Sequence, residues 1–166
     1  DSGMNPATPT VQGGDVVLWE IHPTLPTGLS IDSVTGTISG TPAGTSPITS
    51  YTVYANNTGG SATAVLTIEI LEAPPSSITY VPGSFTLTKG TPLGAVMPSA
   101  QGDPVDSWSI SPTLPAGLVF DTATGELSGT PTAVSPLATY TVTATNNGGS
   151  GTATITIQVN DVAPSS

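Results

Sequence analysis

Cysteine is absent from this chain, and lysine and arginine together number one, Lys89. Without thiols there is no disulfide staple and no thiolate nucleophile, and the redox compartment leaves no mark. His22 is the only histidine, and no arginine is present. Nucleophilic triads, zinc sites and phosphate clamps therefore lack their parts, so the expectation is a protein that is not an enzyme. Eleven acids against one base give a formal net charge of −10. A surface without basic patches is not built for nucleic acid or for anionic membranes. A trypsin-type protease finds one site, which suits an exposed, protease-rich setting. No apolar run approaches the roughly 18 residues that a spanning helix needs. Nothing at the start reads as a secretory leader, which fits a mature or excised segment. Only 7% of residues are charged, while 19 Gly and 17 Pro are present. Thr-rich, β-branched runs between these breakers point to an all-β chain rather than a disordered one.

What is present is present twice. Trp19, Leu25, Pro26, Gly40 and Tyr51 recur as Trp108, Leu114, Pro115, Gly129 and Tyr140, each 89 positions later. Residues 16–77 lie over 105–166 without a gap. A period of this length is the size of one small domain. The expected organisation is domain 1 over 1–73, a Pro/Ser linker at 74–77, domain 2 over 78–162, and the start of a further linker at 163–166.

The clearest strands close each copy. Tyr140, Val142 and Ala144 alternate with threonines, as do Ala153, Ile155, Ile157 and Val159. Period two with one apolar face describes half-buried antiparallel strands. Asn146 to Gly149 reads as the turn between them, because Asn and Gly tolerate positive φ. Copy one repeats this with Tyr51, Val53 and Ala55, a turn at 57–60, then Ala64, Leu66, Ile68 and Ile70. Upstream, Trp19 and Ile21, like Trp108 and Ile110, share one face of a strand. The Pro-x-Leu-Pro-x-Gly-Leu segment that follows cannot be helical and reads as a crossover. Asp32 and Asp121 each open a turn that a glycine closes, with the carboxylate set to accept from backbone amides. Seven or so short strands per copy predict an antiparallel β-sandwich.

Leu25-Pro-Thr-Gly-Leu29, the run from Asp32 to Pro42, and the run from Tyr51 to Asn57 all occur again, at 114–118, 121–131 and 140–146. In this order they resemble the He-PIG immunoglobulin-like domain family of prokaryotic surface proteins, close to dystroglycan-type cadherin-like domains. The resemblance covers most of both copies. It implies two tandem immunoglobulin-like, cadherin-like antiparallel β-sandwiches and an extracellular or cell-surface setting. It says little about ligands.

The copies differ at their starts. Copy two opens with residues 78–90, read as a first strand with a bulged continuation. Copy one has no counterpart, since Asp1 aligns with Gly90. Domain 1 is thus expected to lack its first strand, either as a fragment boundary or as an acceptor groove for a strand from another chain. The end at Ser166, aligned with Ser77, is where a next copy's first strand would begin, as in a piece of a longer array.

Calcium is the one metal to weigh, because hard cations take carboxylate and carbonyl oxygens. Glu72 aligns with Asp161 at the domain exits, and Asp103 and Asp106, like Asp15 and Glu20, lie near the third strand of their copies. The linker lacks an Asp-x-Asp run, so the competing reading is solvated acids, and calcium is not expected to be needed for folding. No other cofactor is called for. An internal Lys–Asn isopeptide brace cannot repeat with Lys89 the only lysine. The sequon Asn56-Asn57-Thr58 has no twin, and threonine is the ordinary solvent-facing strand residue. Trp19, Trp108, Tyr51 and Tyr140 are expected in the core, and Asp32 and Asp121 in turns, all as structural residues. The functional expectation is a spacer or structural unit of a prokaryotic surface repeat protein, partnered by adjacent repeats or further copies. Two others stand beside it: a self-assembling filament or sheath subunit joined by strand donation, and a carbohydrate-binding adhesin module. Beyond adjacent repeats, the partner expected is a surface glycan or protein.

Overall fold

The structure, a computed structural model, describes residues 3–164. All its regular elements are strands. The chain divides into two compact units, Asp1–Leu71 and Glu72–Ser166. The division falls ahead of the Pro/Ser stretch 74–77 because Glu72 and Ala73 already bond within the second unit. The Ala73 N–H donates to the Asp103 carboxylate (2.7 Å), and the Ala73 carbonyl accepts from the Asn146 side-chain amide (2.9 Å). The Asn147 N–H donates to the Glu72 carboxylate at 3.1 Å. The last residues, 165–166, lie outside the described range, as does the start of the next strand expected there.

Unit 1 contains β1 (Leu18–His22), β2 (Leu29–Ile31), β3 (Ile38–Gly40), β4 (Ser46–Asn57) and β5 (Gly60–Ile70). One antiparallel sheet runs β1-β4-β5. β2 pairs with β3, and an isolated bridge ties Ala7 to Ile38. The hairpin of β4 and β5 turns through Thr58 and Gly59, where a two-residue loop suits Asn and Gly. Trp19 lies opposite Ala55 and Ile21 opposite Val53, so the apolar faces of β1 and β4 coincide.

Unit 2 contains β6 (Ser76–Thr79), β7 (Ser84–Thr88), β8 (Leu93–Val96), β9 (Ser99–Gln101), β10 (Ser107–Ser111), β11 (Leu118–Phe120), β12 (Leu127–Gly129), β13 (Ser135–Asn146) and β14 (Gly149–Asn160). Its main sheet runs β10-β13-β14-β7, with β7 parallel to β14. A second layer is formed by β11-β12-β8, and β6 pairs with β9. Residues 78–90 are therefore not one strand with a bulge. They are two strands on two sheets, because Val81-Pro82-Gly83 interrupts the ladder and Pro82 has no N–H to donate. Nor does each copy have seven strands: five stand in unit 1 and nine in unit 2 among the described residues.

The unit 2 core gathers Trp108, Leu127, Val142, Ala144, Ile155 and Ile157 around Ile78, Tyr80 and Phe85. The unit 1 core is smaller, with Trp19, Ile38, Val53 and Ala55 buried together. The difference is sharpest on the closing strand. Ile155, Ile157 and Val159 are fully covered, whereas Leu66, Ile68 and Ile70 are only half-buried and Ala62 and Ala64 are exposed. The same alternating pattern thus meets a full opposing layer in one unit and a partial one in the other.

Candidate functional site

The repeated motifs build one corner in each unit. Asp32 accepts from the backbone N–H groups of Val34 (2.7 Å) and Thr35 (3.0 Å), and Asp121 from those of Ala123 (2.7 Å) and Thr124 (3.3 Å). These bonds favour the carboxylate and hold both groups below the usual aspartate range. The turn that each Asp opens ends at Gly36 or Gly125, with φ of 72° and 75°. An added Cβ at Gly36 would stand 2.5 Å from the Trp19 indole, and one at Gly125 would stand 2.7 Å from that of Trp108. The glycine is required twice over, by its left-handed backbone and by the ring pressed against it. Both indoles are 8% exposed, and Tyr51 and Tyr140 are buried as well. The sequence pattern marked Asp, Gly and Trp separately; their packing on one another carries no local signal.

The acids weighed for calcium stand as follows. Glu72 and Asp103 are brought to the same stretch of unit 2, but each already accepts a backbone N–H there. Asp161 accepts from the N–H of Val162 at 2.9 Å. The Asp106 backbone bonds the Thr145 carbonyl. In copy one, Glu20 accepts from the Asn56 side-chain amide at 2.8 Å. Among the described residues no three of His, Cys, Asp and Glu converge as a metal site would require.

The feature without a counterpart is a groove of about 410 Å³ in unit 1. Its floor is one side of the small core: Trp19, Ile38, Val53, Ala55 and Leu66. One wall is the edge of β5 at Ala62 and Ala64, and the other is the extended segment 7–12. No charged side chain lines it. In unit 2 the equivalent space is occupied. Ile78 and Tyr80 fill it, and the Tyr80 hydroxyl donates to the Gly125 carbonyl at 2.6 Å. Burial pushes that hydroxyl up to about 12. The walls of the groove were not legible in the sequence, because segment 7–12 has no periodic signature.

A profile of the He_PIG family, described as "Putative Ig domain", matches residues 2–71 and again 75–160. The chain belongs to the He_PIG family. Two He_PIG copies thus stand in tandem, and the fold is an all-β, immunoglobulin-like sandwich in each. Among curated relatives, the chain is 29% identical over 155 residues to a "Serine-rich adhesin for platelets" of Staphylococcus aureus strain MRSA252, a match covering 93% of this chain and 10% of that protein. The same protein from strain MSSA476 is also 29% identical, with 6% of its length covered. The chain therefore spans a tenth or less of these relatives. Among solved structures, extracellular domains 3–5 of Drosophila OTK align with a TM-score of 0.50 and 21% identity, over 82% of this chain and 48% of that one. That likeness is one of fold.

Proposed function

We propose that this He_PIG pair is a non-catalytic spacer and structural module of a secreted or cell-surface repeat protein. The observation that carries this reading is the double use of one frame. Core tryptophan, turn aspartate, closing glycine and terminal hairpin are kept at a constant offset of 89, while the lone histidine is not repeated. His22 has Ser111 at its matching place. A module kept for chemistry would keep its reactive groups; one kept for length keeps its core. The extracellular or surface setting rests on the family and on the adhesin relatives. Glu72 and Ala73 are hydrogen-bonded into unit 2 directly after the boundary at Leu71, which leaves no long free linker between the copies. Cysteine pairs placed at Thr58 and Asn147, spin-labelled and measured by double electron–electron resonance, should give one narrow distance distribution. A broad distribution would overturn the spacer reading.

A second reading is favoured by the adhesin relatives: a binding module within a larger adhesin. In its glycan form it meets a structural objection. Sugar platforms use exposed rings, and none of the eight aromatic residues here is exposed. Tyr54 and Phe120 are half-buried, the former edge-on to the His22 ring at 5.8 Å between centroids. A protein ligand on the strand faces remains the form this reading takes. Saturable binding of the chain to immobilised platelet surface proteins would support it.

A further inference from the structure

We propose that the outward face of β1 and β4 in unit 1 is a docking site for an arginine side chain on another protein, held between the Glu20 carboxylate and the Tyr54 ring. The inference rests on the binding-module reading and gives it a face and a partner chemistry.

The two copies share a core pattern but not this face. In unit 1, Leu18, Glu20, His22, Tyr54 and Val65 alternate with the core residues of β1, β4 and β5 and point away from the core. Their equivalents, 89 positions later, are Ser107, Ser109, Ser111, Thr143 and Thr154. Small hydroxyl residues are what a solvated face of an antiparallel sheet accepts, so unit 2 shows what this face needs for folding alone. Unit 1 replaces all five with larger and chemically distinct side chains. Leu18 is 41% exposed and Val65 is 70% exposed. This exposure does not depend on the strands that open unit 2. With β6 and β7 in place there, Ser107, Ser109, Ser111 and Thr154 are still exposed. The groove is a separate feature, since Trp19, Val53 and Ala55 on its floor point to the other side of the sheet.

The polar groups on this face form one connected arrangement. The Ser61 hydroxyl donates to Asn56 Oδ1 at 2.5 Å, and the Asn56 amide donates to Glu20 Oε2 at 2.8 Å. The carboxylate is thereby held beside Tyr54, which stands directly opposite Glu20 in the register. Tyr54 is braced in turn by His22, the two rings meeting at 70° with centroids 5.8 Å apart. In unit 2 the places of Asn56 and Ser61 are taken by Thr145 and Ser150, which bond only each other, at 2.8 Å. A fixed carboxylate next to an aromatic ring matches a guanidinium on two counts. Its N–H groups donate to the carboxylate, and its plane stacks on the ring. An ammonium has no plane to stack. Leu18 lies one register row to one side of the Glu20–Tyr54 pair, and Val65 one row to the other. Apolar neighbours of the arginine thus meet apolar side chains.

The chain itself narrows the choice of partner. It has no arginine and a single lysine, so a second copy cannot supply the group. Unit 1 carries acids and no lysine or arginine, so a basic surface is attracted and another acidic copy repelled. An open sheet face covers little of a free small cation, whereas tight small-molecule sites are concave. A protein surface with arginine at the centre and apolar residues around it fits the patch, and arginine and tyrosine are the residues on which such contacts concentrate.

The probe is a capped peptide, Leu-Ser-Arg-Ser-Leu, which puts leucine, arginine and leucine on one side of an extended backbone. It is titrated into the isotope-labelled full chain at about 150 mM salt, where charges farther apart than about 8 Å are screened. Saturable NMR shifts should appear at Glu20, His22, Tyr54 and Val65, with Ser109 and Thr143 unmoved. Glu20→Ser and Tyr54→Thr place unit 2's residues on the same face, so each should leave melting unchanged and remove the saturable shifts. With lysine in place of arginine, the shifts at equal concentration should be less than about half as large. Grafting Ser109→Glu, Thr143→Tyr and Thr145→Asn together should give unit 2 a site of its own. Absence of binding, shifts spread evenly over both units, equal shifts with the lysine peptide, or binding untouched by the two variants would overturn the proposal. So would dimers that move the same residues without peptide. The binding-module reading is judged apart from this, on platelet surface proteins. Capture of those proteins that survives Glu20→Ser and Tyr54→Thr would sink this face and keep that reading. Specific peptide binding without any such capture would do the reverse.

Discussion

At the scale of single residues, the tryptophan–glycine–aspartate corner carries most of what can be tested. Trp108 is enclosed by a complete core, so Trp108→Ala should cost about 3–5 kcal/mol, measured by denaturant unfolding. Trp19→Ala should cost less, because one side of that indole faces the groove. Gly125→Ala forces a methyl group against the indole in a left-handed backbone, and overpacking of this kind costs about 1–3 kcal/mol. The two turn aspartates give a pH dependence of known sign. Their folded pKa values lie below the ordinary aspartate value of 3.8, held there by the backbone N–H groups they accept. Each thus contributes stability that is present above that value and lost as pH falls through the lower, folded one. Asp121→Ala should be less stable than the parent at pH 7. The two should converge as urea midpoints are followed below pH 3.8. A constant gap down to the acid limit would mean that the carboxylate does not act through its charge.

At the scale of elements, the opening pair of strands decides how well a unit closes. Tyr80 joins them to the Asp turn through its hydroxyl, so Tyr80→Phe should cost about 1 kcal/mol, the usual net worth of one buried hydrogen bond. Its raised pKa adds a second readout. A group protonated more tightly in the folded state stabilises it fully below its unfolded pKa, near 10, and ceases to do so as pH rises through about 12. Unit 2 should lose stability over that window, and Tyr80→Phe should abolish this part of the alkaline loss. The hairpin turns, by contrast, carry their own local signal. Asn57 accepts the Gly59 N–H at 2.8 Å, and Asn146 accepts the Gly148 N–H at 3.0 Å. These turns were legible from their Asn and Gly residues. The change of sheet between β6 and β7 was not, since alternation names faces and not partners.

At the scale of the whole molecule, two copies of one sequence frame should not be equally stable. Among the described residues, unit 1 has four in its buried cluster and unit 2 has eleven. Buried apolar area is the main favourable term, so unit 1 should melt first. The variants Trp19→Phe and Trp108→Phe leave one indole each to report the two transitions. Coincident transitions would show that the groove costs unit 1 little. Calcium gives a separate test. Glu72 and Asp103 already accept backbone N–H groups, so chelator should leave both transitions in place. A rise on adding calcium that Asp103→Asn removes would show that these acids bind the ion.

The sequence by itself determined the period, the closing strands, the hairpin turns, the Asp turns and the family, because each is written in a short range of residues. Chain-local physics is enough for them: alternation, positive-φ residues, and a carboxylate placed to take nearby amides. Only the tertiary structure decided how fully each closing strand is covered. Leu66 and Ile155 occupy the same place in the same pattern, and one is half-buried while the other is 1% exposed. Burial depends on what lies across the core, and for Ile155 the cluster that covers it includes Ile78, 77 residues away. The packing of Gly36 on the Trp19 indole and the shape of the groove beside it follow from long-range packing, which no window of the sequence contains.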